Sequence, residues 1–153
     1  MRIDRGVLIS ILVGLLLGLL LLSFTHAGDY GIIDTFVLDH VHDGDTIIGD
    51  IPGQYPVFGR KISVRILGID TPELKGKCQQ ESVMALEATK VVERLTKDAK
   101  IILLHTDRDA HFRVDAVVLA DGVNVGQELI RLGLAVPYDG KKKRSQDWCK
   151  NDR

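Results

Sequence analysis

The sequence has no excess of either charge, which separates it from proteins that bind polyanions by overall attraction. Its 20 lysines and arginines are matched by 21 aspartates and glutamates, for a formal net charge of −1. The chain beyond residue 27 is slightly more acidic, because the first residues contain Arg2 and Arg5 but only one acid, Asp4. Any affinity for nucleic acid must therefore come from local basic clusters, or from a cation that neutralises carboxylates.

Charged side chains are missing altogether from residues 6–24, which are predominantly apolar. This run is close to the ~20 residues that cross a bilayer as a helix, and longer than the ~7–15 residues of a typical signal-peptide core. Thr25 and Ala27 supply small side chains at the positions that a signal peptidase reads, so residues 1–27 are either a cleaved signal peptide or a retained anchor. In both cases the arginines before the run stay cytoplasmic, and residues 28–153 are predicted to be exported: periplasmic, secreted, or membrane-anchored outside the cytoplasm.

Cysteine is scarce, with only Cys78 and Cys149 in the chain. Two cysteines at this spacing exclude a zinc cluster. An even number of cysteines in an exported protein favours a disulfide, which would tie the end of the chain to its middle. The alternative, two unpaired thiols, is less favoured outside the cytoplasm.

The exported part lacks internal repeats and alternates short strands with two helices. Its patterns predict strands at residues 32–42, 46–48, 61–69, 101–105 and 113–120, with a loop at residues 49–59. They also predict a long helix at residues 80–99, with Glu81 on its solvated face, and a short helix at residues 125–132. We therefore expect one α+β domain over residues 28–153, whose tail from about residue 136 follows no clear pattern. Its core is predicted to be a small OB-fold, a five-stranded Greek-key β-barrel with flanking helices.

Two acidic turns, at residues 43–46 and 70–73, each follow an apolar run. Carboxylate oxygens select hard cations such as calcium or magnesium. Asp45 and Asp70 are therefore predicted to come together from different turns and to hold one metal ion. Glu73 could then accept or orient the proton of an attacking water.

Arg65 is a guanidinium in an otherwise apolar strand, and Arg113 stands at the head of another. Cleavage of a phosphodiester builds negative charge on the phosphate oxygens, to which a planar guanidinium can donate two hydrogen bonds. Each arginine alone is better explained by a salt bridge, of Arg65 with Asp70 and of Arg113 with Asp115. The whole set favours a phosphate clamp facing a metal site.

These motifs resemble the staphylococcal nuclease (thermonuclease) family, from about residue 37 to residue 135. The resemblance implies an OB-fold and a calcium-dependent nuclease that acts on DNA and RNA and leaves 3′-phosphate ends. It implies a Ca²⁺ site formed by Asp45, Asp70 and the backbone carbonyl of Thr71. It assigns the attacking water to Glu73, and stabilisation of the transition state to Arg65 and Arg113.

The sequence departs from the family pattern just before Arg113. The family usually has a basic residue, a tyrosine and a glycine there, whereas this chain has Ala110, His111 and Phe112. A non-catalytic OB module that binds nucleic acid or a protein partner is therefore the alternative, because a fold does not fix a function.

The expected substrate is single-stranded or frayed DNA and RNA, and the protein is expected to be a monomer. Tyr138 could stack on a base of the substrate, although a packing role explains it as well. Membrane contact is expected only through residues 6–24, if the leader is retained.

Overall fold

The computed structural model describes residues 29–140 together with Trp148 and Cys149. The predicted leader, residues 1–27, and the basic tail, residues 141–144, lie outside the described residues. Within the described part of the chain, every helix is too short or too polar to span a bilayer.

The elements follow the order that the sequence predicts, with a few short additions. In chain order they are β1 (Val37–Asp43), β2 (Thr46–Asp50), α1 (Pro56–Gly59), β3 (Ile62–Ile66), β4 (Ile69–Asp70), α2 (Gln79–Thr96), β5 (Ile101–Arg108), β6 (Val114–Ala120), β7 (Val123–Asn124), α3 (Val125–Arg131) and β8 (Val136–Pro137).

The main sheet is curled and mixed, with the strand order β1-β2-β3-β6-β5. β3 and β6 run parallel, whereas β1–β2, β2–β3 and β5–β6 are antiparallel. An isolated bridge between Ile33 and Leu103 joins the segment before β1 to β5, at the other end of this order. This arrangement confirms an α+β, OB-like fold, while complete closure into a Greek-key barrel stays a prediction.

The core lies between the concave face of the sheet and the helices. Alternate residues of β6 are buried, from Val114 to Ala120, as a strand with one covered face requires. The long helix α2 packs against β1 and buries Ala88 and Val92 completely. Full burial of such an aliphatic side chain stabilises the fold by about 1.5–3 kcal/mol relative to exposure.

Several predicted boundaries are wrong. The strand expected at residues 32–42 begins at Val37, the strand expected at residues 101–105 extends to Arg108, and the helix expected at residues 80–99 ends at Thr96. The strand expected at residues 61–69 ends at Ile66 and resumes as β4 at Ile69. Between them Gly68 has φ +84°, a left-handed conformation that glycine adopts without steric cost. The loop expected at residues 49–59 contains the end of β2 and the single-turn helix α1.

Glu81 was predicted to be solvated, and this prediction is wrong. The residue is only 6% exposed, and its Oε2 accepts a hydrogen bond of 2.7 Å from the backbone N–H of Lys77. The backbone N–H of Glu81 in turn donates to Sγ of Cys78, the N-cap residue of α2, at 3.4 Å. Glu81 therefore stabilises the first turn of α2, where a negative charge also interacts favourably with the helix dipole.

Cys78 and Cys149 form a disulfide, with their Cα atoms 6.0 Å apart. The bond places the end of the chain against the N-terminus of α2, and the neighbouring Trp148 is buried there. The cross-link therefore fixes a part of the chain that has no strand pairing of its own among the described residues.

The double substitution Cys78→Ser, Cys149→Ser is expected to lower the free energy of unfolding by roughly 4 kcal/mol, because the unfolded chain loses a long-loop constraint. Urea unfolding of wild type and variant measures the difference. Reductant should destabilise the wild type to the same extent and leave the double variant unchanged. Identical unfolding midpoints of the wild type with and without reductant would contradict a formed cross-link.

Candidate active site

Asp45 is held by the turn between β1 and β2. Its backbone N–H donates to Oδ1 of Asp43 at 3.1 Å, which fixes the turn, and the hydroxyl of Thr46 donates to Oδ1 of Asp45 at 2.9 Å. The carboxylate of Asp45 is buried. The turn thus presents one oriented carboxylate to the interior of the site.

Asp70 and Thr71 arrive from the second acidic turn, which follows β4. Short antiparallel pairing with β8 places Asp70 opposite Val136, and both Asp70 and Thr71 are buried. The hydroxyl of Thr71 donates to Oδ2 of Asp45 at 3.1 Å. The two turns, far apart in sequence, are therefore joined by a direct hydrogen bond.

Gly44 allows this close approach of the two turns. A Cβ atom at this position would lie 2.7 Å from the Cβ of Ala88 in α2 and 3.3 Å from the Cβ of Thr71. Contacts under 3.0 Å are not tolerated without a shift of one partner. The first turn can rest on α2 and on the second turn only because this residue has no side chain.

Arg65 lies between the two carboxylates. Its Nη1 forms an ion pair with Oδ2 of Asp45, its Nη2 is 3.8 Å from Oδ1 of Asp70, and Nη2 also donates to the carbonyl of Ile69 at 3.3 Å. Burial alone would lower the pKa of Arg65, but the neighbouring carboxylates raise it above its ordinary value. The guanidinium is therefore charged. Because it contacts both carboxylates, Asp45 and Asp70 lie on the same side of the sheet.

These side chains border a pocket of about 590 Å³. Asp70 does not line it, but its carboxylate reaches Arg65 at 3.8 Å. The lining contains six residues that the sequence had singled out: Asp45, Arg65, Thr71, Glu73, Arg113 and Tyr138. The structure thus brings the whole predicted set to one place, while the role of each residue stays a prediction.

Arg113 is oriented by Asp109, a residue that the sequence analysis missed. Nε and Nη2 of Arg113 both lie 2.7 Å from Oδ2 of Asp109, and the backbone N–H of Arg113 donates to Oδ1 at 2.8 Å. Burial alone would raise the pKa of Asp109, but its hydrogen bonds to Arg113 outweigh burial and lower it. The salt bridge considered for Arg113 with Asp115 is not the one formed. The spacing of four residues between Asp109 and Arg113 was the available signal.

Phe112 occupies the position where the family pattern has a glycine, and its φ is +65°. Such a conformation is uncommon for a bulky side chain. The turn is held by hydrogen bonds from the N–H of Phe112 to the carbonyl of Asp109 at 3.1 Å and from the N–H of Asp109 to the carbonyl of Arg113 at 3.0 Å. The departure from the pattern therefore leaves Arg113 on the wall of the pocket.

Tyr138 reaches the pocket because the chain returns along β4. Its backbone N–H donates to the carbonyl of Gly68 at 2.9 Å, one residue beyond the pairing of Pro137 with Ile69. The tyrosine is placed by backbone hydrogen bonds that the sequence pattern did not reveal.

The charges that border the site favour an added cation. The acids Asp43, Asp45, Asp70 and Glu73 outnumber the bases Arg65, Lys75 and Arg113. Burial and the charge of Asp45 raise the pKa of Asp43, which shows how closely the carboxylates are crowded. A bound divalent cation would relieve this repulsion.

The donor atoms fit a hard cation. Asp45 and Asp70 offer buried carboxylate oxygens, and the hydroxyl of Thr71 lies 3.1 Å from Oδ2 of Asp45; oxygen ligands of this kind are those that calcium prefers. Among the described residues, the acidic and sulfur ligand atoms that cluster within 4.8 Å of one another are those of Cys78, Glu81 and Cys149, but both sulfurs are joined in the disulfide. The oxygens of the two acidic turns are chemically better suited to a hard cation.

Residues 63–151 match the family model described as "Staphylococcal nuclease homologue". The match includes Arg65, the second acidic turn and Arg113, whereas Asp45 precedes it. No curated protein matches the chain significantly.

Gly44→Ala is expected to destabilise the protein by about 1–3 kcal/mol, the usual cost of overpacking, because the new methyl group would overlap the side chain of Ala88. Denaturant unfolding measures the loss. Ala88→Gly removes the opposing methyl group at a cost of about 1 kcal/mol in a helix. The double variant should therefore lose less than the sum of the single variants. Additive losses would show that this contact is not the cause.

Proposed function

The chain belongs to the family of staphylococcal nuclease homologues, and from this premise we propose that it is a calcium-dependent nuclease. It hydrolyses phosphodiester bonds of DNA and RNA and leaves 3′-phosphate ends. The observation that carries the proposal is the meeting of Asp45, Arg65 and Glu73 at one pocket, with the carboxylate of Asp70 3.8 Å from Arg65.

Asp45 and Asp70, with the backbone carbonyl of Thr71, would hold the calcium ion. When bound, the ion supplies positive charge that attracts the phosphate and makes a water more acidic. The buried position of the two aspartates, each 6% exposed, favours ligation by fixed oxygens over a diffuse ion atmosphere. The hydroxyl of Thr71 keeps the two turns in register through its hydrogen bond to Asp45.

Arg65 and Arg113 bind the scissile phosphate. Arg65 projects from β3 into the pocket and is charged at all relevant pH values, since its pKa is raised by its acidic neighbours. Arg113 directly precedes β6, the strand paired with β3, and is oriented by Asp109. Two guanidinium groups can donate to the non-bridging oxygens, where negative charge grows as the transition state forms.

Glu73 accepts the proton of the attacking water. It is exposed and lines the pocket, so that its carboxylate faces solvent and substrate together. The water oxygen bonds to phosphorus as the bond from phosphorus to the 5′ oxygen breaks, and the leaving oxygen takes a proton from solvent. The phosphate remains on the 3′ oxygen.

Single-stranded or frayed segments are the proposed substrates, with Tyr138 available for stacking on a base. The protein acts as a monomer outside the cytoplasm, after export directed by residues 1–27. The disulfide supports this location, because such bonds persist in oxidising compartments.

The second candidate is a non-catalytic module that binds nucleic acid or a protein partner. The engagement of Arg113 with Asp109 favours it, because a guanidinium committed to a carboxylate has fewer donors for a phosphate. The two candidates differ in whether a bound strand is cut.

Digestion of denatured DNA by the purified full chain, first with calcium and then with excess chelator, decides between them. We expect fragments with 3′-phosphate ends in calcium and none in chelator. The matched control is Asp45→Asn, which removes one proposed ligand and should resemble the chelator experiment. Binding of the strand without cleavage in calcium would favour the non-catalytic module.

Glu73→Gln is expected to lower the turnover number by roughly 10²–10⁴-fold, the range attributed to a general base, and to leave the fold intact. Initial rates on a short single-stranded substrate measure the effect. Glu87→Gln makes the same chemical change on the exposed face of α2 and should leave the rate unchanged. An undiminished rate in Glu73→Gln would remove Glu73 from the mechanism.

A further inference from the structure

Large apolar side chains are exposed on the segment before β1, on and beside α1, and on the turn before β6. The most exposed are Tyr30 at 76%, Tyr55 at 79% and Val57 at 70%, and Phe58 and Phe112 are about half exposed. We call these five residues the aromatic surface. Scattered apolar residues are normal on a protein surface, whereas a continuous cluster marks an interaction site.

Contacts among its members show that the surface is continuous. The rings of Phe58 and Phe112 lie 6.3 Å apart. Tyr30 and Phe58 line one groove of about 380 Å³, and the carbonyl of Tyr55 accepts a hydrogen bond of 2.8 Å from the N–H of Phe58. The helix α1 carries Val57 between them. The groove and the helix therefore form one patch.

The first described residues, Asp29 and Tyr30, lie beside the same patch. The N–H of Tyr30 donates to the carbonyl of Thr106 in β5 at 2.7 Å, which fixes the first described residues against the sheet. Only Thr25 to Gly28 separate Asp29 from the uncharged run at residues 6–24. An extended chain covers at most about 3.6 Å per residue. If that run is held in a membrane, the segment around Tyr30 must stay within roughly 20 Å of it.

We propose that residues 6–24 are retained as a membrane anchor and that the aromatic surface rests on the lipid bilayer interface. Tyrosine combines an apolar ring with a polar hydroxyl and is enriched at the level of the lipid headgroups. Phe58, Val57 and Phe112 are apolar side chains that a bilayer interface can cover. Lys61, just after α1, has a side chain that is 71% exposed and an amine 3.9 Å from Asp39, and such a side chain can extend toward lipid phosphates.

The charges of the patch favour lipid over a nucleic-acid strand. Arg108 is the basic residue of the groove, and its guanidinium already lies 4.3 Å from the ring centroid of Phe112 and donates to the carbonyl of that residue at 2.9 Å. Asp107 lines the same groove and faces Asp115 across the sheet. The carboxylate of Asp107 would repel the phosphates of a nucleic-acid strand stacked on the rings, whereas a zwitterionic lipid surface, which carries both charges, tolerates it.

Contact of the aromatic surface with a membrane would also orient the active-site pocket. Phe112 belongs to the aromatic surface and Arg113 to the active-site pocket, and the two are adjacent in the chain. The pocket would therefore be held beside the membrane in a fixed orientation, not at the end of a free tether.

A tryptophan probe tests the contact in the full chain reconstituted into phosphatidylcholine vesicles. Phe58→Trp places the probe on the aromatic surface, and Val83→Trp places it on the exposed face of α2, where Val83 is 46% exposed. The native Trp148 is buried, and its emission in the wild type is subtracted. Lipids brominated on their acyl chains should quench Phe58→Trp strongly and Val83→Trp hardly at all.

Equal quenching of both probes, or of neither, would overturn the proposal. Recovery of the expressed protein free of vesicles, with residues 1–27 already cleaved off, would also overturn it. Oligothymidylate, added with chelator, tests whether the aromatic surface binds a nucleic-acid strand instead. Quenching of Phe58→Trp by the strand and not by lipid would assign the surface to nucleic acid. Phe58→Trp should cleave DNA in detergent at the wild-type rate. The membrane contact can then be judged separately from the proposed nuclease activity.

Discussion

The guanidinium of Arg65 lies between the carboxylates of Asp45 and Asp70, and the rest of the site is arranged around this contact. A buried charge is stable only when its partners are fixed and hydrogen-bonded. The fold meets this need through the sheet, because Thr46 on β2 stands beside Arg65 on β3. The N–H of Ile66 also donates to the carbonyl of Asp45 at 2.8 Å. The strand β3, which carries Arg65, therefore also holds the turn that carries Asp45 through a backbone hydrogen bond.

The helix α2 supports this arrangement from below. Ala88 lies directly under Gly44, close enough to exclude any side chain there, and the disulfide at Cys78 ties the start of the same helix to the end of the chain. Functional groups keep their geometry best when they are carried by elements that cannot move independently. Here the two acidic turns are held in place because the first packs against α2 and the two contact each other.

The sequence revealed the elements with strong periodicity and the residues with unusual chemistry. β6 alternates cleanly, and α2 has a regular apolar face, so both were predictable from side-chain spacing. Asp45, Arg65 and Asp70 were conspicuous because charges are costly in or beside apolar strands. The family match over residues 63–151 includes Arg65 and Asp70, whereas Asp45 precedes it.

What the sequence could not show depends on tertiary contacts. Glu81 sits at a helical position that spacing assigns to solvent, but it is buried beside the disulfide and the N-terminus of α2. The pairing of Asp109 with Arg113 depends on a turn in which Phe112 adopts a positive φ, which no pattern of residue types favours. The return of Tyr138 to Gly68 is likewise a backbone contact between distant segments.

The parallel pairing of β3 with β6 has a consequence for biosynthesis. It joins Val64 to Val114, with α2 and β5 between them in the chain. Pairings between residues so distant in sequence form slowly, since a long loop must close before the contact contributes. A nascent chain that has not yet paired β6 with β3 would therefore have Arg65 without Arg113 in place, and we expect the pocket to form only after this pairing.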